Sequence, residues 1–338
     1  MDSKKGKDIP IRNLIFITLL LLSSLAHASK WTVINVPGTI CGDGKPYEIF
    51  YENNGSEKLL VEFMGGGACW DRDSCFGKYA LFPWLHNYFV KESYSVFTSD
   101  FSPLNPFRSF SKLYFPYCTA DIFAGNHMAQ YEDKTVYHVG YKNTLDSFNY
   151  LIEKKIINFS KVKDLVVYGA SAGGMAAFIH GKMIESFVKP EAKKTLIADS
   201  PGLHYGENFW EKFPEKLQSD FNFAFQKIGL LIDFNDGFVA KKMGPVFERY
   251  SNWNIGILQG LKDYIMSEVF GDISPSNHKK LVISDEGILA VSKNYPNVQV
   301  WLNDTYMHTF LLTTPSSLLI DGNWQTAIGF ARDVYYQD

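Results

Sequence analysis

One serine of this chain lies in a glycine-flanked turn of the kind that supports nucleophilic chemistry. An apolar run from residue 164 leads into Gly169-Ala170-Ser171-Ala172-Gly173, and a small-residue helical pattern follows. This order is typical of a nucleophile elbow, a tight strand-to-helix turn that exposes the serine hydroxyl. Small residues are needed two positions either side of the serine because larger side chains would collide. Since such pentapeptides also arise by chance in glycine-rich loops, the prediction depends on the serine's partners.

A serine nucleophile needs a base, and the order of the elements selects one histidine. In elbow-bearing α/β folds an acid and then a histidine follow the serine along the chain, at the ends of later strands. His308 follows the last predicted strand and is therefore the predicted base. His204 follows the strand directly after the elbow, which is too early. His278 lies in a polar Ser-Pro-Ser-Asn-His stretch and is expected to be solvated, and His180 lies within the helix after the elbow and points away.

Two aspartates compete for the role of the acid that orients the histidine. Asp263 follows the penultimate predicted strand by a few residues, and Asp199 ends the strand after the elbow. Strand order favours Asp263. The alternative roles for Asp199 are orientation of the same imidazole or capping of the turn at residues 200–202.

The oxyanion of an acyl-transfer reaction needs backbone donors that are already in place. One expected donor is the amide of Ala172, directly after the serine. The others are expected from the glycine-rich loop 65–70, which follows a predicted strand. A phosphate-binding loop is the alternative, but no GxxxxGK[ST] sequence follows, and no GxGxxG stands in a dinucleotide-binding context.

The elements that must position these residues alternate between strands and helices. Helices are predicted at 142–155 and 174–187. Strands are predicted at 58–63, 95–98, 136–139, 164–168, 195–198, 254–258 and 298–302. This alternation predicts an α/β fold with a mainly parallel sheet covered by helices on both faces. Residues 203–250 are aromatic and charged with helical spacing, which predicts a helical insertion near the site, although outer-layer helices would give the same pattern.

The first 28 residues have the pattern of a signal peptide. A basic start is followed by an apolar run from Leu14 to Leu25 and by Ala26-His27-Ala28, so cleavage is expected before Ser29. A retained anchor is the alternative, but the run is short for a bilayer span. The mature chain, 29–338, is expected to be one secreted or periplasmic domain without membrane contact. A net charge of −3 and the absence of a basic run argue against a nucleic-acid partner.

Four cysteines are expected to form two disulfides in an oxidising compartment. Cys69 and Cys75 close a short loop, which leaves Cys41 with Cys118. A metal site is the alternative, but neither a CxxC nor a cysteine–histidine spacing supports it. We therefore expect neither a metal nor another cofactor.

With these pieces placed, the chain resembles the pectin acetylesterase / Notum carboxylesterase family. The order of five landmarks carries the resemblance: residues 41–47, 65–70 with Cys75, 105–107, 116–121 with Gly125, and 169–174. The resemblance implies an α/β-hydrolase fold and a secreted serine carboxylesterase. It assigns Ser171 as nucleophile, Asp263 as acid and His308 as base. Gly66, Gly67 and Ala172 would form the oxyanion hole.

The substrate is less sharply defined by the resemblance. An acylated carbohydrate or another ester is expected, with acetyl as the acyl group, and the aromatic residues Phe82, Trp84 and Phe89 or those of 203–250 could line an acyl pocket. One alternative is a deacylase of the lipase or thioesterase type. Another is a non-catalytic protein of the same fold that binds glycans. The sequence leaves the oligomeric state open.

Overall fold

The structure, a computed structural model, describes residues 31–78, 80, 95–98, 103–312, 317–320 and 323–337. The predicted signal peptide and the aromatic residues Phe82, Trp84 and Phe89 lie outside the described residues. The domain boundaries expected from the sequence therefore remain a prediction.

The described residues form an eight-stranded mixed sheet and two hairpins. The main sheet has the order β1-β2-β4-β3-β7-β8-β9-β10, in which β1, β2 and β4 are antiparallel neighbours and all pairs from β4 to β10 are parallel. The strands are β1 Thr32–Ile40, β2 Pro46–Glu52, β3 Lys58–Phe63, β4 Ser111–Phe115, β5 His127–Tyr131, β6 Lys134–His138, β7 Asp164–Ala170, β8 Lys193–Asp199, β9 Asn254–Gly260, β10 Val298–Asn303, β11 Ser317–Ile320 and β12 Asn323–Thr326.

Helices cover the sheet, and two apolar cores lie against it. The α-helices are α1 Arg72–Phe76, α2 Gly140–Glu153, α3 Ala172–Glu185, α4 Glu215–Lys227, α5 Gly244–Arg249, α6 Pro275–Ile283, α7 Ile288–Ser292 and α8 Ala327–Tyr336. Short 3-10 helices span Phe159–Lys161, Phe209–Lys212 and Val239–Lys242, and a π-helix spans Ile265–Val269. The central strand β7 is buried along almost its whole length, as expected of a parallel strand covered on both faces. The predicted α/β-hydrolase fold is confirmed.

Two predicted strands were wrong as members of the sheet. Residues 95–98 form a turn, because the Ser95 hydroxyl accepts hydrogen bonds from the amides of Phe97 and Thr98, and Thr98 Oγ1 donates to the Ser95 carbonyl. Such local side-chain bonds compete with strand pairing. Residues 136–138 belong to β6, which among the described strands pairs with β5 in a hairpin outside the main sheet.

The sheet order determines where the predicted site residues meet. The strand β7 lies between β3 and β8, so the glycine loop after β3 approaches the elbow from one side. The ends of β8, β9 and β10 succeed one another on the other side. Because the carboxyl ends of parallel strands lie at one edge of a sheet, all the predicted residues converge there.

Candidate active site

The backbone at Ser171 has the strained conformation of a nucleophile elbow. Ser171 stands between β7 and α3 with φ 56° and ψ −124°, a region that L-residues rarely adopt. A Cβ at Gly169 would lie 1.9 Å from the Gly173 carbonyl oxygen, and one at Gly173 would lie 2.0 Å from the Phe63 carbonyl oxygen. Only glycine therefore fits at these two positions. At Gly169 the reason is the tight turn, as expected from the sequence, and at Gly173 it is the end of β3.

The glycine loop after β3 lies directly against the elbow. A Cβ on Gly65 would lie 2.6 Å from the Ala170 carbonyl oxygen and 3.1 Å from Ser171 Cβ. Gly67 has φ 86°, and it lines the same pocket as Ser171 and Ala172. Ala172 is the first residue of α3, where backbone amides have no acceptor within the helix. The loop and the helix start therefore meet at one pocket.

Both predicted disulfides are present, and they brace this side of the site. Cys69 bonds Cys75 across six residues, directly after the glycine loop, and Cys41 bonds Cys118 across 77 residues. The amide of Cys69 also donates to the Ala120 carbonyl, 3.1 Å away, shortly after Cys118. The loop is thus attached to the segment after β4 by a hydrogen bond and to α1 by a covalent bond.

Asp263 and His308 are brought together on the other side of Ser171. Asp263 Oδ2 lies 2.8 Å from His308 Nδ1, and Asp263 Oδ1 accepts from the Met266 amide at 2.9 Å. The Asp263 side chain is fully buried, and the His308 side chain is 15% exposed. The loops that carry them continue the pairing of β9 with β10, because the Leu261 amide donates to the Asn303 carbonyl at 2.7 Å.

The second ring nitrogen of His308 is available for chemistry. His308 Nε2 is buried and has no hydrogen-bond partner among the residues that the structure describes. With a carboxylate on Nδ1, the neutral ring keeps its proton there and presents Nε2 as a base. Catalytic hydrogen bonds often tighten only when substrate binds, so an unoccupied Nε2 agrees with the role expected for a base.

Asp199, the competing acid, contacts the histidine loop but not the imidazole ring. Its Oδ2 accepts hydrogen bonds from the amides of Phe310 and Leu311, at 2.7 and 2.8 Å. Ser200 Oγ lies 3.3 Å from Asp199 Oδ1 and accepts from the Thr309 amide at 3.2 Å. Burial raises the pKa of the Asp199 carboxyl to about 6, although the amide donors and His308 lower it. Ser200 was not predicted from the sequence, in which its only signal is a polar Asp-Ser pair at the end of a buried strand.

Other described histidines have structural partners. The expectation that His278 is solvated was wrong: it is fully buried in α6, its Nδ1 lies 2.9 Å from the Leu261 carbonyl, and burial lowers its pKa. His180 Nε2 donates to the Phe123 carbonyl at 2.9 Å, and burial lowers its pKa to about 4. His204 is buried and accepts from the Ile288 amide at 3.4 Å. Each of these three histidines therefore has a backbone partner within the fold.

An apolar pocket of about 590 Å³, its mouth included, adjoins Ser171. Segment 203–250 supplies much of its wall, namely Tyr205, Phe209, Trp210, Phe213, Phe221, Phe225 and Val239. The rings of Tyr205 and Phe209 stack face to face with their centroids 3.7 Å apart, and Tyr205 Oη donates a hydrogen bond to Met266 Sδ at 3.3 Å. The pocket therefore brings together Ser171, Ala172 and a broad aromatic surface.

The described part of the chain offers no cluster of three metal-ligating side chains. In the same residues, every helix is too short or too polar to cross a bilayer.

Comparison with known proteins identifies the family. The pectinacetylesterase family model matches residues 23–212, more than half of the chain. This range includes Ser171, the glycine loop and all four cysteines, whereas Asp263 and His308 lie after it.

Individual relatives are similar at modest identity. "Pectin acetylesterase 5" of Arabidopsis thaliana is 28% identical over 182 residues, which is 52% of this chain and 42% of the relative. "Pectin acetylesterase 4" of the same plant is 25% identical over 167 residues, 48% of this chain and 40% of the relative. The "Palmitoleoyl-protein carboxylesterase NOTUM" of Mus musculus is 23% identical over 172 residues, 47% of this chain and 33% of the relative. The chain spans less than half the length of each of these relatives. On the family match, the chain belongs to the pectinacetylesterase family.

Proposed function

We propose that this chain is a serine carboxylesterase that hydrolyses O-acyl esters through an acyl-enzyme. Ser171 is the nucleophile, His308 the general base and acid, and Asp263 the carboxylate that fixes the imidazole. The observation that carries the proposal is the strained backbone of Ser171, which lies between Gly169 and Gly173 and lines a pocket. Strain of this kind persists where the surrounding fold imposes it, often at functional sites.

The first half of the reaction forms the acyl-enzyme. Ser171 Oγ attacks the ester carbonyl carbon while its proton passes to His308 Nε2, and the carbonyl oxygen becomes an oxyanion. The amides of Gly66, Gly67 and Ala172 donate to this oxyanion. When the intermediate collapses, the carbon–oxygen bond to the leaving group breaks, and His308 returns the proton so that a neutral alcohol departs.

The second half restores the enzyme. A water molecule gives a proton to His308 Nε2 and attacks the acyl carbon, and a second oxyanion forms at the same donors. The bond to Ser171 Oγ then breaks, the proton returns to Ser171, and a carboxylic acid leaves. Through both halves Asp263 keeps the Nδ1 proton of His308 in place and stabilises the imidazolium, which lowers both barriers.

The names of the relatives support ester chemistry but differ in the acyl group. Two are named pectin acetylesterases and one a palmitoleoyl-protein carboxylesterase. The sequence resemblance favours acetyl on a carbohydrate carrier. A second candidate, a longer acyl chain, is favoured by the pocket, because acetyl needs room for one methyl group and the pocket adjoining Ser171 has an aromatic wall.

The compartment follows from the signal-peptide pattern and the disulfides. We propose that residues 1–28 direct export and that the enzyme works outside the cytoplasm, where Cys41–Cys118 and Cys69–Cys75 persist. Polymer-bound esters are accessible to an enzyme in that location. The partner class is therefore an acylated carbohydrate or another ester carrier.

The test is hydrolysis of a p-nitrophenyl ester series, acetyl, butyryl and octanoyl, by the purified mature chain and by Ser171→Ala. The intact chain should hydrolyse at least one ester, and the variant should lose turnover by about 10⁶-fold, to the background, with an unchanged melting temperature. Full activity in Ser171→Ala would rule out the nucleophile. No hydrolysis by the intact chain, together with binding of unmodified glycans, would instead support the non-catalytic alternative.

The same series separates the two acyl candidates. A higher kcat/KM for acetyl supports the carbohydrate acetylesterase. A preference of about tenfold for octanoyl, equivalent to roughly 1.4 kcal/mol of transition-state binding, supports a long-chain deacylase.

A further inference from the structure

Asp199 touches both the nucleophile and the segment that carries the base. Its backbone carbonyl accepts a hydrogen bond from the Ser171 amide at 2.7 Å. Its side-chain Oδ2 accepts from the amides of Phe310 and Leu311, two and three residues after His308. One fully buried residue at the end of β8 therefore connects the elbow to the histidine loop.

The neighbouring residue repeats this connection. Ser200 Oγ accepts from the Thr309 amide at 3.2 Å, and the Ser200 amide donates to the Leu258 carbonyl of β9 at 2.8 Å. Ser200 and Thr309 both have positive φ, 52° and 66°. Conformations of this kind are strained and persist only when the surroundings impose them. The three consecutive amides after His308 thus donate hydrogen bonds to the side chains of Asp199, the last residue of β8, and Ser200, the next residue.

The two carboxylates near His308 have different targets. Asp263 contacts the ring at Nδ1, whereas the Asp199 carboxylate contacts the backbone after the ring, together with Ser200 Oγ. Asp263 can set the tautomer and rotation of the imidazole, but it does not set where the loop lies relative to Ser171. The distance between Ser171 and His308 depends on how the histidine loop is attached to β8, the strand beside the elbow.

We propose that Asp199 is a positioning residue that sets the separation between Ser171 and His308 by holding the backbone of residues 310–311 against the end of β8. The inference rests on the proposed function. It assigns to Asp199 a role in proton transfer through geometry alone, without contact to substrate.

The experiment compares Asp199→Ala with Asp199→Asn. Alanine removes the acceptor of both amides, whereas asparagine keeps the size and one acceptor oxygen, which can take the position of Oδ2. A displacement of about 1 Å at a reacting group can cost on the order of 10²-fold in rate. We expect Asp199→Ala to lose about that factor in kcat with KM little changed, and Asp199→Asn to recover most of it.

Thr326→Ala is the matched control, because it removes a side-chain acceptor of a backbone amide, that of Gly329, at the start of the distant helix α8. Its kcat should stay at the level of the intact chain. If Asp199→Ala does not fold, Ser200→Ala is the second variant: it removes the acceptor of the Thr309 amide and the hydrogen bond from Ser200 Oγ to Asp199 Oδ1 but leaves the amides of residues 310 and 311 bonded. It should give a smaller loss in kcat with the same unchanged KM.

Three outcomes would overturn the inference. These are a folded Asp199→Ala with normal kcat, an Asp199→Asn as slow as Asp199→Ala, and a loss confined to KM. Ser171→Ala is assayed in parallel: if it remains active, the proposed function itself fails, and that result is distinguishable from any of these three.

Discussion

The two loops that flank Ser171 are held by different kinds of bond. The glycine loop, after β3, leads into the Cys69–Cys75 disulfide. The histidine loop, after β10, is held by hydrogen bonds to the carboxylates of Asp263 and Asp199. The side that would bind the oxyanion is thus fixed covalently, and the side that would transfer protons is fixed by hydrogen-bond acceptors.

This difference in bonding agrees with the role proposed for each loop. Oxyanion donors act by being in place before charge develops, so rigidity is sufficient for them. A histidine that accepts and returns a proton also needs a defined tautomer, and an acceptor on Nδ1 is the group that sets it. A disulfide can supply rigidity but cannot select a tautomer. Each side therefore has the kind of bond that its proposed role requires.

The largest expected effect is on the hydrogen-bonded side, from Asp263→Asn. Two neighbours, His308 Nδ1 and the Met266 amide, need acceptors at this residue, and asparagine has only one acceptor oxygen. Turnover should fall by about 10⁴-fold while the fold is kept, because the tautomer is no longer fixed. Steady-state kinetics on the best p-nitrophenyl ester, with a thermal melt, measures both quantities.

Asp304→Asn is the control for Asp263→Asn. Asp304 lies on the same loop as His308 but is half exposed and paired with Lys262 and Lys279. Its substitution should leave kcat nearly unchanged. If Asp263→Asn retained a tenth of normal turnover, this side would not depend on its acceptor, and the comparison would fail.

A smaller loss is expected on the covalent side from Gly65→Ala. The new Cβ would lie 2.6 Å from the Ala170 carbonyl oxygen, so the glycine loop must move away from the elbow. Displaced oxyanion donors should lower kcat by about 10²–10³-fold with the nucleophile intact. Gly38→Ala adds the same methyl group where nothing lies within 4 Å, so it is the control for replacing a glycine without a steric clash. Equal losses in the two variants would show that the loop's position is unimportant.

The two disulfides should separate stability from turnover. In the chain-entropy account, a disulfide that closes a longer loop contributes more to the free energy of unfolding. Removing Cys41–Cys118, which spans 77 residues, should cost on the order of 4 kcal/mol, and removing Cys69–Cys75, which spans six, should cost about 2 kcal/mol. We expect the paired Cys69→Ser and Cys75→Ser substitutions to lower kcat more, by roughly tenfold, because the donors lose preorganisation. Denaturant titration and kinetics on both double variants test this. A larger kcat loss from the long-range pair would contradict it.

The smallest effect is expected from the aromatic wall of the pocket, which belongs to segment 203–250 and not to either loop. Phe225 of α4 lines the pocket, whereas Phe223 on the same helix is 45% exposed. If the acyl chain occupies the pocket, Phe225→Leu should lower kcat/KM for octanoyl by up to tenfold, about 1.4 kcal/mol. Acetyl should be unaffected, and Phe223→Leu should change neither. An equal change for both esters would place the chain elsewhere.

Much of the site could be predicted from the sequence because its signals are local. The elbow is a five-residue pattern with a steric cause, and the acid and base follow from strand order. Those roles stay predictions, but the predicted residues do converge at one edge of the sheet. The disulfides were predictable because four cysteines with one short spacing leave few pairings.

What could not be predicted depended on contacts between distant parts of the chain. The strand β4 contains Lys112, which looks exposed in sequence but is buried in an ion pair with Glu52 on β2, 3.1 Å away. His278 looked solvated, although Ser274 caps α6 and Pro275 occupies its first turn, which is a helix-start signal. The hydrogen bonds from the amides of residues 310 and 311 to Asp199 join positions more than 100 residues apart, so no sequence spacing predicts them.

The contact of Gly169 with Gly173 also has a genetic consequence. Every missense change in a glycine codon adds a side chain, and at these two positions the first added carbon would already overlap a backbone carbonyl. No conservative replacement exists for either residue, so selection on these codons should remove nearly all amino-acid variation for as long as the elbow is in use. In populations and in descendants of this gene, variation at the two codons should therefore be silent, and an amino-acid change there would mark a copy that has abandoned the elbow.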